Sequence, residues 1–472
     1  MRHLTFLNFS TVSIAAFALM VGTESPANAV PSFARQTGLA CESCHTVFPE
    51  LTPFGRRFKL SGYTLTTKPG INDMTDDRES RLSLVDIPPL SIMLQASTSW
   101  VNKATADTTG NSAKAQNGTT EFPQQLGLFY AGRIADTMGA FLQVTYSQNS
   151  GTIGIDNSDV RFADRLGSTD LLYGITLNNN PTIQDVWNST PGWGFPWISP
   201  SGAPTPSASP LVVNTMAQKV AGLGAYAMYK DSFYVEATAY RSAISGSSAP
   251  YDSSTLYNSS TSTAGTSVIQ DLAPYWRAAY ERQWGNNSLE VGTFGMWAKV
   301  LPTFSGASVS PGAANSYLDT AFDAQYQYIG IRHIFSLSGS YVHELESNNS
   351  AWVGSNFSNT NDTLNRFLAT GTWYYRRKYG LSASFEKLTG TADPLLYPTV
   401  STAGTGGGSA NGKPDSQFEV IEADYLPWLN TKLLLQYTIY NQFNGGSQGY
   451  DGVSGRKASD NNTLMFALWT AF

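Results

Sequence analysis

The fold the sequence predicts is all-β, a transmembrane outer-membrane β-barrel of about sixteen strands, and three observations predict it. Only 14% of the 472 residues are charged while 12% are aromatic, a balance unlike that of a typical soluble enzyme. From about Pro88 onward the chain breaks into segments of period-two hydrophobicity, the mark of strands with one apolar and one polar face. Long and short connections alternate between those segments, as surface loops and periplasmic turns do in such a barrel and as a soluble sandwich rarely maintains. A net charge of −6 with no basic patch of useful size argues against a nucleic-acid partner.

The elements follow in chain order. Arg2 and His3 precede an apolar run from about Ile14 to Val21, and Ala27-Asn28-Ala29 then reads as a cleavage signal, so a signal peptide is expected over 1–29 with the mature chain beginning at Val30. The run is too short to span a bilayer comfortably, a spanning helix needing about twenty residues. The chain is therefore expected to be exported.

The next segment, 30–85, carries Cys41-Glu42-Ser43-Cys44-His45, the only two cysteines in the chain with a histidine directly after the second. In this CxxCH spacing two thiols can bond to haem vinyl groups while the adjacent imidazole ligates the iron, so one covalent haem c is expected, held by Cys41, Cys44 and His45. A redox-active CxxC pair or a plain disulfide would not need the histidine. Phe48, Leu51, Phe54 and Phe58 form an apolar stripe at roughly helical spacing, with Arg56, Arg57 and Lys59 expected to its side and a regular helix only from Pro53 onward. Some fifty residues cannot close a substantial core alone, so the segment is expected to be a plug or docked cap. Asp73, Asp76 and Asp77 read as a solvated linker.

The run Pro31-Ser32-Phe33-Ala34-Arg35-Gln36-Thr37-Gly38-Leu39-Ala40-Cys41-Glu42-Ser43-Cys44-His45, then Phe48-Pro49 and Phe54-Gly55-Arg56-Arg57-Phe58-Lys59-Leu60-Ser61-Gly62-Tyr63, resembles the N-terminus of the fused cytochrome–porins of iron-oxidising bacteria. The resemblance implies one haem attached to an outer-membrane barrel, electrons taken from extracellular ferrous iron, and a periplasmic cytochrome or other soluble carrier as acceptor. Beyond Tyr63 the likeness is one of pattern and length.

The barrel is expected over 86–472, with strands near 88–101, 122–134, 138–147, 153–164, 169–178, 217–229, 232–242, 272–284, 287–299, 317–329, 333–344, 363–376, 379–388, 416–426, 431–443 and 461–472. Short turns are expected at Ala135-Asp136, Lys230-Asp231, Gly285-Asn286, Arg377-Lys378 and Trp428-Leu429-Asn430, and both chain ends on the periplasmic side. The last strand alternates Leu464, Phe466, Leu468 and Thr470 and ends on Phe472, like a signal read by outer-membrane assembly machinery.

Parity places Glu236, Arg277, Glu281, Glu290, Asp319, Asp323, Arg366 and Glu386 in the lumen, as a generic polar interior or a guide for cations. For a second axial ligand the chain offers His333, His343 and scattered methionines. His343 shares a face with Phe335, Leu337 and Tyr341, which points it at lipid, whereas Met93 shares one with Ser91 and Gln95 and is the first choice. The connection from Asn178 through Trp187 to Trp197 is long, aromatic and proline-punctuated, and is expected to fold inward as a constriction. Gly404–Gly412 lacks phosphate-loop chemistry and reads as a surface loop. No catalytic triad or carboxylate pair has recognisable spacing. Two functions from different classes remain: an electron conduit oxidising extracellular Fe(II) through one haem, or a diffusion porin with an accessory haem segment.

Overall fold

Successive side chains of a strand point to opposite faces, so segments that are apolar on one face and polar on the other are stable in lipid only if their sheet closes and leaves no edge. The computed structural model describes residues 31–67, 88–105, 118–148, 151–190, 195–213, 215–243, 268–301, 313–399 and 407–472. The signal peptide with its cleavage site, the linker carboxylates Asp73, Asp76 and Asp77, and Gly404–Gly406 lie outside the described residues.

One antiparallel sheet closes on itself. Its strands are β1 (Leu90–Val101), β2 (Gly118–Ala135), β3 (Met138–Ser147), β4 (Thr152–Arg165), β5 (Leu171–Asn178), β6 (Val220–Tyr229), β7 (Phe233–Ser242), β8 (Val268–Gln270), β9 (Ala273–Trp284), β10 (Asn287–Leu301), β11 (Asn315–Ile329), β12 (His333–Ser347), β13 (Asn361–Tyr375), β14 (Tyr379–Gly390), β15 (Ser416–Trp428), β16 (Thr431–Gln442) and β17 (Thr463–Ala471). Strands β8 and β9 both pair with β10, Gln270 opposite Lys299 and Tyr275 opposite Met296, so the seventeen strands make sixteen staves. Closure is the pairing of β1 with both β2 and β17, with Met93 opposite Ala471 and Val101 opposite Thr463. Each of the sixteen expected strands is present.

Alternation sorts the two faces as the sequence implies. Leu177, Leu223, Val235, Phe322, Leu337 and Leu381 stand exposed on the outside as a belt for lipid. Tyr229, Phe233, Tyr280, Tyr328, Phe335 and Trp373, all near short turns, form an exposed aromatic girdle at one rim, as a membrane interface favours. This is the architecture of an outer-membrane β-barrel. Inside, Glu236, Arg277, Glu281, Glu290, Asp319, Asp323 and Arg366 are all buried.

Among the described residues, two segments fill the lumen. The first is the N-terminal plug, with helices α1 (Pro31–Thr37), α2 (Cys41–Cys44) and α3 (Pro53–Leu60), seated at the short-turn end. Its seat is defined by Arg35 donating to Leu90 O, Arg57 meeting Asp231 at 3.4 Å and Glu42 meeting Arg377 at 3.3 Å. The second is the connection between β5 and β6, which folds inward as expected and carries a short helix α4 (Pro181–Gln184) with Ile183, Val186 and Trp187 buried.

Two expectations about the plug need correction. Phe54 is not part of the apolar face but points outward, 37% exposed, whereas Arg56 and Lys59 are buried rather than set to the side. The reason lies in the wall. The guanidinium of Arg56 is bound by both carboxylate oxygens of Glu281 at 2.9 Å, by Gln325 and Gln327 at 3.2 and 3.1 Å, and by the carbonyl of Leu51. Lys59 donates to the carbonyls of Ile183 and Asp185 in the inward loop. A carboxylate with amide and carbonyl oxygens for Arg56, and carbonyl oxygens for Lys59, thus draw into the lumen cations that solvent would hold on a free helix.

Candidate functional site

The site is built on a turn that cannot move far. Residue 45 closes α2 through its N–H to Cys41 O at 2.9 Å, and Thr52 grips the same turn from the other side, its N–H on Cys44 O at 2.9 Å and its hydroxyl on Ser43 O at 2.7 Å. Thr52 also caps α3 by accepting from Gly55 N at 3.1 Å, with Pro53 at the first helical position. Gly55 lets the two helices meet, since a Cβ there would lie 2.2 Å from Cys44 O. The Thr-Pro pair is a helix-start signal legible in the sequence; the contact that makes Gly55 necessary is not.

His45 is half-buried, and its Nδ1 lies 3.2 Å from Glu50 O. A carbonyl oxygen only accepts, so the proton sits on Nδ1 and the lone pair stays on Nε2, the state an imidazole needs to ligate a metal. Burial, opposed by hydrogen bonds to the carbonyls of Glu50 and Pro49, holds its pKa down at about 4. Burial also drives the Cys41 thiol up to about 12 and the Cys44 thiol to about 11. A thiol–disulfide exchange site depends on a depressed thiol pKa, so this environment is the reverse of what a redox-active CxxC requires. Glu50, buried behind the turn and bonded by Thr46 at 3.0 Å, has its carboxyl pKa raised, chiefly by burial.

Two cavities flank His45, both partly open to solvent, and their volumes include that open space. The larger, about 1120 Å³, is mostly apolar and bordered by Cys41, Cys44 and His45 on one side and by Phe58, Met93 and Phe141 on the other. The smaller, about 790 Å³, shares Cys41, His45, Phe48 and Trp469 with it and is closed by Trp197 from the inward loop. Phe48 stacks on Trp469 at 5.0 Å between ring centres. Phe33 packs edge-on against Phe58 and stacks on Tyr63, whose hydroxyl donates to Asp159 at 2.7 Å. Plug, wall and loop therefore all contribute to the cavity rim.

A flat apolar macrocycle tethered by two thiols and capped by a neutral imidazole needs this combination of apolar volume, paired cysteines and oriented histidine, so the residues present fit a haem. Met93 is on the lumen face and borders the larger cavity, with Gln95 Nε2 3.8 Å from its sulfur. The two other histidines among the described residues are elsewhere. His343 is on the outer face bonded to Asn365 at 2.6 Å, and His333 is exposed at the short-turn rim beside Trp373.

The lumen carboxylates face inward as expected, but several hold structure together rather than standing as a bare guide for cations. Glu281 takes Arg56 of the plug and Trp187 Nε1 of the loop at 3.1 Å. Asp323 and Glu290 take Arg277 at 2.5 and 3.2 Å, and Arg277 in turn lies over the Trp187 ring at 4.8 Å. Arg366 and Glu386 pair with each other at 2.8 Å. These partnerships span long sequence separations, and no motif announces them.

No protein-family model matches the sequence, and no curated protein matches it. Among solved structures, the outer membrane protein OmpT of Vibrio cholerae with loop L8 deleted is similar at 9% identity and a TM-score of 0.44, over 81% of this chain and 98% of that one. OmpF of Salmonella typhi in complex with daunomycin is similar at 12% identity and a TM-score of 0.46, over 81% and 97%. An anion-selective porin from Comamonas acidovorans is similar at 11% identity and a TM-score of 0.44, over 81% and 98%. Likeness at this level says nothing about what the chain does.

Proposed function

We propose that the chain is an outer-membrane electron conduit, with one haem c joined to Cys41 and Cys44, ligated by His45 and enclosed in the barrel at its periplasmic end. The observation that carries this reading is the apolar cavity bordered together by the CxxCH turn and the lumen wall. Bound there, haem would pass one electron at a time through its iron. The protein's own part is to orient His45 through Glu50 O, to exclude water with Phe48, Phe58 and Phe141, and to fix the plug through Arg56 and Glu281. Arg57, Glu42 and Arg377 remain partly exposed at the short-turn rim, where a soluble periplasmic carrier would meet the plug.

Ferrous iron is the donor we propose, and what supports it is the resemblance of 31–63 to the cytochrome–porins of iron oxidisers. The chemistry is compatible, because ferric product precipitates near neutral pH and is best formed outside the cell, and one haem accepts one electron per iron. In detergent, haem-loaded protein is expected to be reduced by ferrous iron. Reduction by dithionite but by ferrous iron at no pH from acidic to neutral would remove iron and leave the conduit.

The barrel itself supports a second reading, a porin-like channel with an accessory haem segment, since closed staves with an inward loop are what a diffusion porin requires. Conductance in planar bilayers separates the two. A conduit sealed by plug and loop passes little ion current until the plug is loosened, whereas a diffusion porin conducts steadily as assembled.

A further inference from the structure

Two buried donors beside the attachment site have no acceptor. Among the described residues neither the Trp197 nor the Trp469 indole N–H meets a hydrogen-bond partner, although both nitrogens are shut off from solvent. A buried indole N–H normally finds one, and leaving it unpaired costs about 1–3 kcal/mol. Both rings border the same smaller cavity next to Cys41 and His45. Two orphan donors on residues of one cavity rim point to an acceptor that no protein group here supplies.

The surroundings say what kind. Trp469 on β17 stands between Gln95 on β1 and Lys432 on β16, its direct cross-strand neighbours. The Lys432 ammonium lies over the Trp197 ring at 4.7 Å and borders the cavity, and Arg377 stands at its edge. Gln95, Trp197, Trp469, Lys432 and Arg377 all border this one space, and donors of these kinds suit an anion with several oxygen acceptors. Lys432 is offset by Glu422 at 3.1 Å and by Asp424 at 3.8 Å, and Arg377 by Glu42 at 3.3 Å, so what this rim offers is neutral donors rather than an excess of positive charge. The larger cavity offers one cation, Lys59, whose ammonium is already directed at the carbonyls of Ile183 and Asp185. Burial, with the nearby Arg161, holds the Lys59 pKa down at about 8 against the opposing pull of Asp159, Asp185 and Glu236.

We propose that the smaller cavity is the seat of the haem's carboxylate side chains, with Trp197 Nε1 and Trp469 Nε1 as their hydrogen-bond donors and Lys432 as the nearby cation. This rests on the haem reading above and adds to it a division of labour: the apolar cavity takes the macrocycle, and the donor-lined one takes its acid groups. It also makes the inward loop part of the haem site, since Trp197 belongs to that loop.

The test uses full-length protein in detergent with Trp197→Phe, Trp469→Phe and the double variant, which remove the N–H while keeping a ring to pack. Covalent haem on a denaturing gel is read first, and the haem carboxylate bending band in the resonance Raman spectrum second. The expected result is full haem attachment, an unchanged Soret maximum, and a downward shift of that band in each single variant that is larger in the double. Attached haem with an unmoved band in both single variants would overturn the carboxylate seat and leave the haem reading standing; absence of covalent haem from the unsubstituted protein would overturn both. Trp197 lies in a loop and Trp469 in the wall, so if one substitution prevents assembly, judged by heat-modifiable gel mobility, the band in the other decides.

Discussion

The plug and the inward loop fill the same lumen by different means. The plug presents side chains to the wall: Arg56 to Glu281, Tyr63 to Asp159, and Phe48 to Trp469. The loop adds backbone to its side-chain contacts: beside Trp187 Nε1 on Glu281 at 3.1 Å, Leu211 N and Val212 N donate to Glu344 and Asp319, each at 2.6 Å. Backbone anchoring tolerates changes of loop sequence, whereas a buried ion pair fails when either partner goes. The plug is thus the more easily dislodged by a single substitution, and the site that depends on it is the more exposed to loss.

The largest expected effect tests the chemistry of the plug alone. Cys41→Ala with Cys44→Ala should abolish covalent haem while the barrel still assembles, because neither cysteine contributes to the staves; haem staining and heat-modifiable mobility on the same gel check both halves. Next comes the anchor. Arg56→Met leaves Glu281 buried without its cation at 2.9 Å, an arrangement that destabilises by about 3–5 kcal/mol. Increased protease cleavage within 31–67 and a rise in bilayer conductance should report the loosened plug, while the loop, held also by the backbone bonds of Leu211 and Val212 to Glu344 and Asp319, stays protected.

A smaller effect is expected inside the plug. Gly55→Ala puts a Cβ 2.2 Å from Cys44 O, and overpacking of this kind typically costs about 1–3 kcal/mol, so haem occupancy should fall without disappearing. The smallest depends on pH. His45 titrates near 4 when docked, below its ordinary 6.5, so the undocked segment binds a proton that the docked one refuses. In the double-cysteine variant, where no iron holds the imidazole, the His45 contribution to docking should be full above pH 6.5 and be lost as pH falls towards 4, by about 3 kcal/mol at most. It is opposed by Glu50, whose raised carboxyl pKa favours docking at low pH. Protease sensitivity of 31–67 across that range reads the balance, and His45→Phe should remove the His45 part.

Legibility in the sequence followed the physics of each region. Strands were plain because alternation is local: Leu90, Ile92 and Leu94 against Ser91 and Gln95 are visible within a few residues. The CxxCH motif was equally local. The inward loop showed itself by length, proline and tryptophan. What stayed hidden was pairing at long range: nothing near Arg56 marks Glu281 as its partner, and Arg56 looked like a solvated side-chain because solvent is its usual place. Trp197 and Trp469 come together only when the barrel closes. The lumen-facing parity of Met93 was legible, but its place on the cavity rim needed the plug to be seated.

The most direct measurement is sided reduction. Haem-loaded protein is placed in proteoliposomes with a tag at Gly407 defining the long-loop side, and a membrane-impermeant reductant is added on that side alone. Prompt growth of the reduced-haem absorbance to the full dithionite amplitude is the expected result for a conduit. Reduction only when the reductant reaches the short-turn side, or only after detergent is added, would contradict it.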